Sequence, residues 1–592
     1  MISFKNQYIR RACQLLCGAA MVLLTTGCED FFNIEPQNEI ILEKFWTEKS
    51  DVMNMVAGCY SGMQSEAVVS RMMIWGEFRS ENVGVGQNID KDANLGKVLK
   101  ENIDAQNAYT AWESFYQVIN RCNTVIKYAP AVAADDPSYT ESELKANIAE
   151  VTALRSLCYF YLIRTFRDVP YSTVAFTDDN QRMTLPATKF ETVLDSLIQS
   201  LEQVKGDAVE FYPTTTPKYQ TARITKDAIN AMLCEMYLWK QDWDNCIKYA
   251  DLVMEAKKKY AETNRSSLTS YGSTGSSQYE RSGGYPLVNA YSSSTGYGYA
   301  YNTLFTSDSY VNNYTPEIVF QLTYSDDPRG ESMIANMAVN TLYGNARYLV
   351  GRAAPSDYVI SDISATSSRT IFADRNKKMD ARLYTNCNLV TGAINKYVTR
   401  SMTIDATSST PKAGYAGFYN ENENGANWII YRLADIMLMK AEALVMKAQD
   451  GATTEVATAN KPLLDAAFQL VNWVNKRSVC ETELVDTLVR SDYASKAQME
   501  TLVLQERQRE LMFEGKRYYD LVRQARRNNS TQTLSTAVQR KVTTGGALIA
   551  NKLSKMDAIY WPYHYEELKV NDNLKQNSAF SSGEDSSYEK NY

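Results

Sequence analysis

Two blocks of helical periodicity, residues 40–260 and 428–530, are separated by a stretch that has none, and this alternation constrains the fold most. In the first block, NIAEVTALRSLCYFYLIRTF (147–166) sets Ile148, Val151, Leu154, Cys158, Tyr161 and Leu162 along one face. Residues 224–258 break at Gln241-Asp242-Trp243 into two helices, close to the roughly 34-residue unit of a tetratricopeptide repeat. Leu233, Cys234 and Tyr237 match that unit's Leu, Gly and Tyr slots, and Cys246 its Ala slot. Small side chains belong there because the two helices approach closely. In the second block, 431–448 and 463–478 form another such pair, and 63–69 and 113–129 read as further helices. Helix pairs of this kind cannot bury their faces alone and must stack. The pattern predicts a mainly α protein built from helical repeats.

The aperiodic stretch, about residues 260 to 427, is rich in Ser, Thr, Gly, Asn and Tyr. An irregular segment this long inside a folded chain is usually functional or disordered. Seven tyrosines fall in residues 271–301 alone. Disordered segments are typically poor in aromatics, whereas Tyr with Ser and Gly is the composition of binding loops. A packed structural loop is the other reading. As binding residues, Tyr285, Tyr291, Tyr297 and Tyr299 are the stacking candidates. EIVFQLTY (317–324) reads as a strand that anchors this region.

Residues 1–27 carry Lys5, Arg10 and Arg11 ahead of a short apolar run, Ala12 to Leu24, which is the anatomy of a secretory signal. The run is too short to span a bilayer. LTTGC, ending at Cys28, resembles a bacterial lipobox, in which that cysteine takes the lipid. Glu29-Asp30 resembles the export signal of Bacteroidota surface lipoproteins. Removing 1–27 lowers the formal net charge from −7 to −10, which argues against nucleic acid as a partner. Seven cysteines then remain besides Cys28, without CxxC spacing, and read as small core residues.

Few motifs carry chemistry. The helix expected over 506–523 pairs Glu506/Arg509, Arg507/Glu510, Glu514/Arg517 and Asp520/Arg523 at i, i+3, and reads as a salt-bridge brace. His564, the only histidine, lies outside any catalytic motif, and neither histidine nor cysteine spacing makes a zinc site. No cofactor is expected. IWGEFRSENVGVG (74–86) brings Trp75, Glu77, Arg79, Glu81 and Asn82 together. An indole beside planar polar groups suits a sugar, stacking on its ring and bonding its hydroxyls. The alternative is a core Trp75 with charges that hold a loop.

Several longer motifs resemble one family. WIIYRLADIMLMKAEAL (428–444), ERQRELMFEGKRYYDLVR (506–523) and WPYHYEELKVNDNLKQN (561–577) resemble signatures of the SusD/RagB-type outer-membrane nutrient-binding lipoproteins. WESFYQVINRCNTVI and ALRSLCYFYLIRTFRDVPY resemble family segments too. Arg167 stands where the family often has Gly. The resemblance implies about four tetratricopeptide-like helix pairs packed on an irregular, loop-rich lobe that carries the ligand site, near Glu77 to Asn82. It gives a single domain over 28–592, made of helical repeats (28–260), loop lobe (261–427) and C-terminal helices with a tail (428–592). It also implies an oligosaccharide ligand, or a peptide in some relatives, and a SusC-like TonB-dependent transporter as partner; no catalysis is expected, with a surface glycoside hydrolase as the alternative. The expected place is the outer membrane, surface-exposed, anchored through Cys28.

Overall fold

The structure is a computed structural model. It describes residues 45–581 except 179, 214, 217, 264–281, 290, 293–295, 307–315, 325–333, 346–348, 361–370, 373–379, 406–411, 420–422 and 481–486. The lipidation candidate Cys28 and tyrosines 271 and 279 therefore lie outside the described residues.

The protein is mainly helical. The principal helices are α1 (Lys49–Met63), α2 (Glu66–Met73), α3 (Glu113–Asp135), α4 (Glu141–Phe166), α5 (Phe190–Val204), α6 (Lys226–Lys240) and α7 (Trp243–Thr263). The second block supplies α8 (Leu433–Lys447), α9 (Thr454–Lys476), α10 (Lys496–Leu511) and α11 (Arg517–Asn528). α3 packs on α4, α6 on α7 and α8 on α9, and α7 lies against α8. The two periodic blocks, far apart in sequence, thus form one stack. The break expected at Gln241 is real: its φ of 64° is left-handed and ends α6. Across that turn Cys234 and Cys246 meet, Sγ to Sγ 3.7 Å, both fully buried. The small thiols let the helices close without a disulfide; all seven described cysteines are buried and in the thiol form.

α4 differs from expectation. Residues 147–166 are buried on every side except at Ile148, instead of along one stripe. The helix lies at the centre of the stack, so even its charges need internal partners. Arg164 pairs with Glu235 at 2.6 Å and lies over the rings of Phe160, Tyr161 and Tyr519.

The lobe is anchored by short strands: β1 (Val83–Val85), β2 (Tyr291–Ser292), β3 (Gly296–Tyr297), β4 (Ile318–Leu322), β5 (Ala353–Pro355), β6 (Thr399–Asp405), β7 (Lys412–Phe418) and β8 (Trp428–Arg432). β4, the strand expected at 317–324, pairs antiparallel with β8, which leads into α8. β7, β6, β3 and β2 make a four-stranded sheet in that order, and β1 pairs with β5. One apolar cluster takes residues from all three regions, Val52 to Leu574.

The charged segment 506–523 is not one helix. It breaks between α10 and α11 at Met512–Lys516, where Phe513 and Gly515 adopt left-handed φ values. Two expected pairs form, Glu506–Arg509 at 2.6 Å and Asp520–Arg523 at 2.8 Å. The other two do not: Arg507 pairs with Asp435 and Asp520 instead, and Glu514 lies in the break while Arg517 takes Glu81. Glu510 is bound by Arg382, Arg432 and Arg477, and Glu514 by Arg432 and Lys396. Glu317, from the lobe, completes the cluster with Arg432 and Arg477. Burial alone would raise the Glu510 carboxyl, but three guanidiniums hold it well below the usual range.

Candidate functional site

The segment 74–82 lies at the joint between the N-terminal helices and α11. Gly76 makes the joint possible, since a Cβ there would sit 1.9 Å from the Gly515 carbonyl oxygen. Glu77 follows, and its carboxylate accepts from Asn82 Nδ2 at 2.8 Å and from the backbone N–H groups of Phe513, Lys516 and Arg517 at 3.0, 3.2 and 3.3 Å. It caps α11 from another part of the chain. Burial pushes this carboxyl up to about 7 while its donors pull it back.

The other residues of the stretch are also turned inward. Arg79 pairs with Glu101 at 3.0 Å, donates to the carbonyls of Ala558 and Ile559, and lies over Tyr518 and Trp561. Glu81 takes Arg517 at 2.5 Å, and Asn82 accepts from Gln508 at 2.7 Å. Trp75 stacks on Phe115 and donates to the Tyr109 carbonyl at 2.8 Å. None of the five exceeds 2 % exposure. The expectation that these side chains face a ligand is therefore corrected. Apart from Glu81 Oε2, which is buried without a hydrogen bond, their polar atoms are spent on internal partners, and Trp75 lies in the core.

What the stretch does is hold up a cleft beside it. A space of about 250 Å³ is lined by Glu66, Ala67 and Ser70 of α2, by Tyr109, and by Thr341, Leu342 and Arg352 of the lobe. Trp75 fixes the Tyr109 backbone from below. The Tyr109 hydroxyl and Arg352 both bond Asp92 Oδ2, at 2.6 and 2.7 Å. Burial and then the bond to Asp92 push the Tyr109 phenol well up, so it stays protonated and keeps donating to Asp92. Arg352 is brought in by the β1–β5 pairing, with Gly86 N–H donating to its carbonyl at 3.0 Å. Thr341 reaches Glu66 at 3.3 Å across the cleft. An aromatic ring, a guanidinium, a carboxylate and two hydroxyls thus surround an apolar floor. That set binds a polar ligand through its edges and one ring face. The volume falls below the roughly 300–1,000 Å³ of sites that enclose a whole ligand, so it suits part of a longer molecule. Sequence reading missed these residues because they come from separated, motif-free places and are united only by the lobe's contact with α2.

The loop tyrosines are elsewhere. Tyr285 is half-buried, its ring 5.5 Å from Trp473 and under the Lys258 ammonium. Tyr291 and Tyr297 are register partners in the β2–β3 hairpin, and Tyr299 starts the short helix Tyr299–Asn302.

With this geometry in hand, known proteins give a consistent comparison. The sequence model of the SusD family matches residues 251–580, and a second model, described as starch-binding associating with outer membrane, matches 30–238. SusD-like protein P38 of Formosa agariphila is 24% identical over 95% of this chain and 98% of its own. SusD-like protein P2 of the same organism is 22% identical over 85% and 89%. A SusD superfamily structure from Bacteroides vulgatus superposes with a TM-score of 0.60 at 16% identity, covering 90% of this chain and all of that one. A laminarin-binding SusD-like protein gives 0.57 at 19%, covering 90% and 99%. No helix of the described residues is long and apolar enough to cross a membrane.

Proposed function

This chain belongs to the SusD family, and from that premise we propose that it is a surface lipoprotein that captures an oligosaccharide and passes it to a SusC-like TonB-dependent transporter. Cys28 would carry the lipid that tethers it to the outer membrane. The observation that carries the reading is the cleft between α2 and the lobe. Its Tyr109 ring, Arg352 guanidinium and Ser70 and Thr341 hydroxyls match a sugar's ring face and hydroxyl edges. Tyr285, Tyr291, Tyr297 and Tyr299 would add stacking faces farther along a chain. Binding without bond cleavage fits the lining, which offers one carboxylate, Glu66, where glycoside hydrolysis uses two; Asp92 behind it is already engaged.

Peptide is the second reading, and the opposed charges of Glu66 and Arg352 favour it, since they would suit a zwitterionic backbone end. The soluble form, residues 29–592, probed on a glycan array and on a peptide array decides between them. Glycan spots without peptide spots support the proposal. Peptide spots alone overturn it.

A further inference from the structure

A second aromatic surface is formed by Phe211 and Tyr219, outside the cleft. Phe211 is 56 % exposed and Tyr219 44 %, although burying such side chains would normally be worth about 1.5–3 kcal/mol. The Phe211 ring lies near-parallel to Tyr260 at the end of α7, centroids 6.5 Å apart, and Tyr212 meets Tyr219 edge-on at 5.8 Å. Tyr212 and Tyr219 are tied to the interior. Arg223 sets its guanidinium 5.3 Å from Tyr212 and 5.6 Å from Tyr219, and is itself fixed by two bonds to the buried Glu150, at 2.8 and 2.5 Å. Gln220 clamps the loop by accepting from Tyr212 N–H at 3.0 Å and donating to the Glu210 carbonyl at 3.2 Å. This ion pair braces the Tyr212 and Tyr219 rings and so lowers the ordering cost of binding there.

The aromatic segment is tied to the edge of the cleft through β4. Thr221 accepts from Gln321 of β4 at 3.2 Å. Two residues on, the Thr323 carbonyl accepts from Gln64 at 2.7 Å, and the Tyr324 hydroxyl donates to the Gln64 carbonyl. Gln64 leads directly into Glu66, at the cleft's edge. Two residues of β4 alone span about 7 Å, before the side chains of Gln321 and Gln64 are added. The two places can therefore act together only on a ligand long enough to bridge that separation.

We infer that Phe211 and Tyr219 form an accessory polysaccharide subsite, which stacks sugar rings of the same chain whose end or branch occupies the cleft. This rests on the glycan-binding reading above. Its effect is avidity: a second weak contact on one chain raises affinity for polymers and leaves short ligands alone.

The test is affinity electrophoresis of residues 29–592 through gels holding starch, laminarin, xylan, mannan or pectic galactan. Calorimetry with the tetrasaccharide of whichever polymer retards the protein follows. The Phe211→Ala/Tyr219→Ala variant should bind that polymer about ten- to thirtyfold more weakly and the tetrasaccharide as the wild type does, with an unchanged melting temperature. Phe211→Leu, which keeps an apolar side chain without a ring, should lose part of the polymer affinity too. Wild-type polymer affinity in the double variant, together with lost binding in Arg352→Ala, would overturn the subsite and leave the cleft standing. Failure of every polymer to retard the wild type would overturn both.

Discussion

Replacing Glu77 with alanine should loosen the joint between the N-terminal helices and α11. Four buried donors lose their acceptor: Asn82 Nδ2 and the N–H groups of Phe513, Lys516 and Arg517. At about 2 kcal/mol for each unsatisfied buried donor, the loss is about 8 kcal/mol. Against this, a carboxyl held near pH 7 instead of its ordinary 4.5 burdens the native state by about 3 kcal/mol at neutral pH, a burden the variant sheds. The net destabilisation is about 5 kcal/mol. The same carboxyl gives a pH signature. Its folded pKa is raised, so its stabilisation is complete below about pH 4.5 and is lost as pH rises through 7. Urea unfolding followed by circular dichroism should show the wild type losing about 3 kcal/mol between pH 4.5 and 8 relative to Glu77→Gln, which does not titrate. An alanine variant within about 1 kcal/mol of wild type at pH 7, or a wild-type curve parallel to that of the glutamine variant, would refute the reasoning.

Three further outcomes follow from packing and charge. Gly76→Ala drives a methyl into the Gly515 carbonyl and should cost more than about 4 kcal/mol, seen as loss of soluble, cooperatively melting protein; near-normal melting would contradict the close approach. Arg477→Met leaves Glu317 and Glu510 short of partners in a buried cluster, and should lower unfolding free energy by about 3–5 kcal/mol in the same urea assay. Burial would raise Glu442, but Arg523 and then Arg527 hold it at about 2; its stabilisation is present above about pH 4.5 and fades as pH falls through 2. Acid titration should remove about 3 kcal/mol from the wild type that Glu442→Gln does not lose.

What was legible in the sequence was local. Helix pairs and the turn at Gln241 follow from periodicity, and Cys234 and Cys246 meet because small slots mark where helices close. The family's usual glycine at position 167 also acquires a reason. Arg167 adopts φ 71° and spends its side chain on Asp557 at 2.5 Å. Depth was not legible. Trp75 and its polar neighbours have the composition of a sugar site, but whether an indole faces water or core depends on what packs over it from α3, α4 and α11. The i, i+3 pairing rule failed for Glu510 because arginines more than thirty residues away in the chain claim it while Arg507 goes to Asp435 and Asp520, and for Glu514 because it lies in the break between helices. The cleft residues had no motif. FYPTTTPKY (211–219) did carry a signal, with three aromatics among prolines and threonines, but it lies in the helical half, away from the tyrosine-rich lobe.

The central claim is that the α2–lobe cleft takes a sugar. Calorimetric titration of residues 29–592 with an oligosaccharide chosen from the array tests it most directly, comparing wild type with Glu66→Ala and Arg352→Ala. The account predicts measurable binding by the wild type and a loss of about tenfold or more in Arg352→Ala, with a smaller loss in Glu66→Ala and native circular dichroism in both. Equal affinity in all three proteins would contradict it.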